Sequence, residues 1–150
     1  MKKTYGGEAL PRSDGPAKVT GQAPYSGDFN MEGQRHMKRR FAGRPHARVL
    51  GVDASKALAV PGVVAVFTSR DVPVNEYGLQ YPDQPVLCGP GDPKEGTDIA
   101  RFVGDQIAAV VAETEEAAAR GRDLLEVAFE ELPAVTDPRA ALAPGSYKPL

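Results

Sequence analysis

The sequence predicts an α+β domain, a mixed β-sheet with a few packed helices, on three observations. Val63 to Thr68 is a β-branched run flanked by turn signals. Residues 98 to 142 read as strand, turn, strand, helix, strand and a proline-broken exit. Sixteen glycines and fourteen prolines in 150 residues supply many turns, while 41% hydrophobic and 25% charged residues keep the composition that of an ordinary soluble domain. That length suits one domain able to bury a core without disulfides.

Residues 1–13 have no periodicity and read as a flexible arm, residues 14–142 as the domain and residues 143–150 as a tail. Lys18-Val19-Thr20 is a short strand candidate, and Gly21 through Gly27 is a turn that exposes Tyr25. Residues 35–48, RHMKRRFAGRPHAR, form a basic patch holding six Lys or Arg and both histidines, with Met37 and Phe41 between them. Two readings compete here: the footprint of a polyanion site, and a solvated strand edge whose cations block unwanted pairing. A net charge of −2 favours the edge.

His46 to Val52 alternates as a strand. Asp53 and Ser55 are placed to cap a short helix over Lys56 to Ala59, because their side-chain oxygens accept from free N–H groups at a helix start. Pro61-Gly62 ends that helix, and Val63 to Thr68 has the pattern of a strand buried on both faces. Ser69 to Thr97, with prolines at 73, 82, 85, 90 and 93, is too long for an ordinary connection and reads as a functional loop or a mobile segment. Tyr77, Leu79 and Tyr81 would share one side if that piece is extended, as an anchor on the domain or on a partner.

Arg101-Phe102-Val103 is a short strand ended by Gly104-Asp105, and Gln106 to Ala112 is a second, buried strand. Thr114 is a good N-cap, with Glu115 and Glu116 where their charge meets the positive helix end. The helix runs toward Leu124. There the period changes to two, with Leu125, Val127 and Phe129 facing one way and Glu126, Ala128 and Glu130 the other. The strand–helix–strand order allows a right-handed crossover between parallel strands.

Chemistry is sparse. Gly89-Pro90-Gly91 and Gly43-Arg44-Pro45 contain prolines and do not open a helix after a strand, so no phosphate loop is read. His36 and His46 lack a cysteine partner for a metal, and Cys88 alone builds neither a disulfide framework nor a zinc or iron–sulfur site. Cys88 reads as a small buried hydrophobe more than as a nucleophile. Ser69 and Ser146 have no local activating context, although a triad could assemble from distant positions. Glu126, Glu130 and Glu131 read as solvated charge, not as a paired acid and base. No catalytic, cofactor-binding or metal residue is assigned. No apolar run approaches the roughly 18 residues of a membrane-spanning helix, and MKKTYGGEALPRSDG lacks the apolar stretch of a secretory signal. The expectation is a cytoplasmic protein.

Many short pieces agree, in order, with one family. They are Asp14 to Gly21, Tyr25 to Asp28, Pro45 to Val49, Val52-Asp53 with Ala57-Leu58, Pro61 to Thr68 and Asp71 to Pro73. Val103 to Gln106, Ala112 to Thr114 and Glu130 to Asp137 complete the set. Together they resemble the α/β hammerhead domain at the start of the large subunit of molybdenum hydroxylases, the xanthine dehydrogenase, aldehyde oxidase and carbon monoxide dehydrogenase family. One stretch departs from it. Where the family has a largely apolar strand, this sequence has Gln34 to Phe41, so that strand is exposed, displaced or covered by a partner.

The resemblance implies a hammerhead fold and a non-catalytic fragment or split subunit of a molybdopterin-dependent oxidoreductase. Its partners would be the molybdopterin-binding remainder of the large subunit and iron–sulfur subunits or domains, with or without FAD. No cofactor is expected in this chain, and neither membrane nor nucleic acid is an expected partner. The alternatives are a stand-alone interaction module and a polyanion-binding domain using residues 35–48.

Overall fold

The computed structural model describes residues 12–146. Residues 1–11 of the expected arm and 147–150 of the expected tail lie outside the described residues. The chain divides into two compact units, Met1–Gln34 and Arg35–Leu150.

In the first unit a short helix, α1 (Gly15–Val19), replaces the expected strand at Lys18 to Thr20. Pro16 in its first turn presets the helical φ. Asp14 meets Lys18 at 2.6 Å across one turn, and the Thr20 hydroxyl donates to Pro16 O at 2.7 Å. A strand there would need a neighbour to pair with; the helix satisfies itself locally. Tyr25 is exposed, as expected, ahead of a 3₁₀ turn at Ser26–Asp28.

In the second unit the described strands form two antiparallel three-stranded sheets. The first has the order β1 (His36–Phe41), β5 (Gln106–Ala112), β3 (Val63–Phe67), and the second β4 (Ile99–Ala100), β2 (Ala47–Asp53), β6 (Glu126–Glu131). Helix α3 (Glu115–Asp123) and the single turn α2 (Ser55–Leu58) pack on the first sheet, and α4 (Pro138–Ala141) follows β6. The α+β class stands, but two antiparallel sheets take the place of one mixed sheet. The parallel crossover is overturned as well: β5 pairs with β1 and β3, β6 pairs with β2, and α3 carries the chain from one sheet to the other.

Local chemistry explains most elements. Thr114 Oγ1 accepts from Ala117 N at 3.1 Å, the expected cap of α3. Asp53 Oδ1 accepts from Ser55 N at 2.8 Å, whereas Ser55 is itself the first residue of α2, not a cap. β5 is the central strand of its sheet, with Ile107, Ala108, Val110 and Ala112 fully buried. β3 is an edge strand with Val64 54% exposed, so its expected burial on both faces is wrong. β-branched composition reports fitness for a pleated surface and does not say how many neighbours cover it.

Arg101 to Val103 is a turn, not a strand. The Asp105 carboxylate accepts from the Arg101 and Phe102 N–H groups at 2.5 and 3.2 Å, replacing the bonds a neighbouring strand would have supplied. Strand β4 lies just before it. In β6, Val127 and Phe129 turn inward and Glu126 and Ala128 outward, matching the expected alternation.

The sheets meet around Val49, Cys88, Ala100 and Ile107. A bulge, with Arg40 opposite Ala108 but Phe41 opposite Gln106, brings Ile107 into this cluster. A second cluster, Ala57, Ala108, Val110 and Leu125, lies under the helices. Gly121 lets α3 sit close: a Cβ there would lie 2.9 Å from Val110 Cγ1 and 3.0 Å from Val63 Cγ2.

The long 69–97 connection is tied down. Asn75 is 4% exposed; its amide donates to Leu87 O and accepts from Leu87 N, both at 2.9 Å. Cys88 N donates to Gln106 O at 2.6 Å, and Gly89 N to Thr97 O at 3.1 Å. Tyr77 pairs with Gln84 across a tight return, so the piece is not extended, and Leu79 and Tyr81 are exposed at its tip.

Candidate functional site

The basic patch folds as the edge strand β1 and the turn leading into β2. Along β1, burial alternates residue by residue. His36, Lys38 and Arg40 lie on the half-buried side, where α3 packs, and Met37, Arg39 and Phe41 lie on the exposed side. Of the alternatives for this stretch, the structure shows a paired but half-exposed edge.

Most of its cations already face carboxylates. Arg35 meets Glu113 at 3.8 Å, and Lys38 forms an ion pair with Glu115 that pulls the Glu115 carboxyl below its ordinary range. Arg44 meets Glu131 at 3.2 Å, and Arg48 meets Asp98 at 2.5 Å and Glu130 at 3.4 Å. Lys56 forms an ion pair with Glu126. The three glutamates around β6 are therefore exposed charges held by neighbouring cations.

Arg39 differs. Among the described residues it meets no carboxylate; its Nη1 donates to Gln106 Oε1 at 3.3 Å, and its guanidinium lies 5.4 Å from the Phe41 ring centroid.

The other reactive groups are held in structural roles. Cys88 is buried in the sheet–sheet core, and burial, with Asp105 and Asp98 adding to it, pushes its thiol up to about 12. A thiol so protonated is a poor nucleophile. Ser69 is buried and its hydroxyl donates to Pro90 O at 2.8 Å. His46 is buried with Nδ1 2.7 Å from Pro133 O, while His36 lies on the other sheet. Among the described residues no group of three or more His, Cys, Asp or Glu could hold a metal ion, and no helix is long and apolar enough to cross a membrane.

A cavity of about 460 Å³ lies between the Arg101–Val103 turn and the segment after β6. Pro45, Phe102, Val103, Ala134 and Val135 give it a mostly apolar wall. A phosphorylated pterin dithiolene needs a dense set of hydrogen-bond donors around its ring and phosphate. These walls do not fit that group.

Two features escaped the sequence reading. Asn75, an ordinary loop residue by type, is the pin of the long connection. The outer row Met37, Arg39 and Phe41 was hidden among charges, although its period of two was the signal.

Fold and side chains together define a two-sheet domain in which Cys88, Ser69 and His46 are buried and the β6 glutamates are ion-paired. The profile of the aldehyde oxidase and xanthine dehydrogenase a/b hammerhead domain matches residues 20–133, and the chain belongs to that family. It is 41% identical to a probable xanthine dehydrogenase subunit of Bacillus subtilis (strain 168) over 91% of its own length and 17% of that protein's. Among solved structures it resembles a Cu,Mo-CO dehydrogenase, with a TM-score of 0.79 and 30% identity over 92% of this chain and 17% of the other. It also resembles the aldehyde oxidoreductase from Desulfovibrio gigas, with a TM-score of 0.77 and 32% identity over 92% of this chain and 16% of the other. The chain thus spans about a sixth of the length of these relatives.

Proposed function

We propose that this chain serves as the hammerhead part of a molybdopterin-dependent oxidoreductase of the xanthine dehydrogenase/aldehyde oxidase type, with a structural and docking role and no catalytic centre of its own. The hammerhead occupies residues 14–142 in this reading, with an arm at 1–13 and a tail at 143–150, and the assembly is cytoplasmic. The reading rests on one observation: the groups that could react are already engaged, with Cys88 and Ser69 buried in core contacts and the β6 glutamates ion-paired. Its partners are the molybdopterin-binding remainder of the large subunit and the iron–sulfur subunits, with or without FAD. Oxidation of an aldehyde, purine or similar carbon centre, with water as oxygen source, is then supplied outside this chain.

The polyanion alternative fares worse, because Arg35, Lys38, Arg44 and Arg48 already face carboxylates, leaving little free charge to release counterions. The test is to sequence the DNA flanking this reading frame and co-express the chain with its neighbour's product. Co-purification of both chains, with molybdenum present only in the complex, is expected. A chain that binds no neighbour encoding the cofactor-binding remainder would leave the stand-alone module instead, and stoichiometric molybdenum in the isolated chain would refute the role assigned here.

A further inference from the structure

The first sheet of the Arg35–Leu150 unit has two unlike faces. Its inner face is covered by α2 and α3. Strand register defines the outer face row by row. Met37 lies opposite Val111, which lies opposite Ala65; Arg39 lies opposite Ala109, which lies opposite Phe67. Directly opposed residues of antiparallel strands share a face. Phe41, stacked near the Arg39 guanidinium, extends it.

The large apolar side chains at the two edges of this face are open to solvent, Met37 being 57% exposed, Phe67 44% and Phe41 43%, while Ala65 and Val111 are half-buried and Ala109 is buried between them. Exposed apolar surface gathered on one flat face is costly to maintain and marks contact sites. Methionine, phenylalanine and arginine are also the types enriched where proteins bury one another's surface.

Arg39 decides what kind of partner fits. It is the only charge on these rows, and among the described residues it has no carboxylate. Covering it with a purely apolar surface would strand a desolvated guanidinium, which is strongly unfavourable. A second copy laid face to face offers no acid from the same rows. The complement is an apolar surface with one carboxylate at its centre.

We propose that the outer face of the β1–β5–β3 sheet is a protein-docking surface whose partner is apolar and sets a carboxylate against Arg39. The proposal rests on the docking role above and adds to it a face and a recognition group. Arg39 makes an otherwise apolar face charge-selective.

The test has two arms. In the complex with the neighbouring gene product, Arg39→Glu should weaken binding at least about tenfold, with Arg39→Gln intermediate and Arg139→Glu, outside this sheet, unchanged. Independently, the isolated chain is titrated with two short amphipathic helical peptides, identical except for Glu or Lys at the centre of the apolar face. The Glu peptide should shift amide resonances of residues 37–41, 65–67 and 109–111, bind at least about tenfold tighter than the Lys peptide, and lose that preference to it in Arg39→Glu. Melting curves confirm that each variant is folded.

Equal binding of both peptides, shifts centred on the Phe102 cavity, or a dimer of this chain abolished by Arg39→Glu would overturn the proposal. A neighbour that fails to bind while the peptides behave as expected removes the docking role in this enzyme and leaves the face. A neighbour that binds equally well to Arg39→Glu does the reverse.

Discussion

Asn75 shows how much of this fold hangs on a single amide. The backbone N–H and C=O of Leu87 are buried, and one side chain serves both at 2.9 Å. Replacing it with alanine leaves a donor and an acceptor unpaired away from water, a loss of about 1–3 kcal/mol. Asn75→Asp keeps the acceptor for Leu87 N but turns a carboxylate toward Leu87 O, so it should cost at least as much as alanine. Urea denaturation of both variants measures this. A midpoint shift equivalent to under about 0.5 kcal/mol, the range of an ordinary surface change, would show that the 69–97 connection is held by other contacts. The sequence did not reveal this role, because Asn in a proline-rich loop looks like turn chemistry and its partner is twelve residues away. Thr114 was legible for the opposite reason: its hydroxyl reaches only three residues along the chain.

At the scale of elements the same rule holds. The end of α3 and the alternation of β6 were readable, since both follow from spacing within a few residues. The partners of β5 and β6 were not, because strand order is set by distant cluster packing and not by the strand's own pattern. The Arg101–Val103 turn was misread because its stabilising carboxylate, Asp105, lies just beyond the segment that looked like a strand. Strand β1 is the informative case. Lys38 on its inner side reaches Glu115, but Arg40 on the same side is half-buried with Nε hydrogen-bonded to nothing. A half-buried arginine whose Nε is buried without a partner contributes less than an apolar side chain of similar volume. Arg40→Leu should therefore stabilise the protein by about 0.5–2 kcal/mol, read as a higher urea midpoint with an unchanged slope. Destabilisation would mean that the Arg40 stem packs better against α3 than a branched side chain does.

For the whole molecule, the cross-element ion pairs set how the fold meets acid. Lys38–Glu115 ties β1 to α3, Lys56–Glu126 ties α2 to β6, and Arg48 links β2 to both Asp98 and Glu130. The carboxyl of Glu115 is held low chiefly by its bond to Lys38, and that of Asp53 by the Ser55 N–H. In the other unit, Arg12 and then Lys18 do the same for Asp14 beside α1. A carboxyl held below its ordinary value in the folded state binds its proton less readily there than in the unfolded chain. Stability from it is present above the ordinary values of 4.5 for Glu and 3.8 for Asp, and is lost as pH falls through the lower folded value. The urea midpoint should thus stay flat from neutral pH to near 5 and drop below 4.5. These pairs are exposed, so the drop is modest and shrinks further in high salt. Glu115→Gln should flatten part of it, because the substitution removes one titrating group while keeping the shape of the α3 first turn. A midpoint that rises on acidification would place the controlling groups among carboxyls buried without partners, and the ion pairs between sheets and helices would then carry none of the pH dependence.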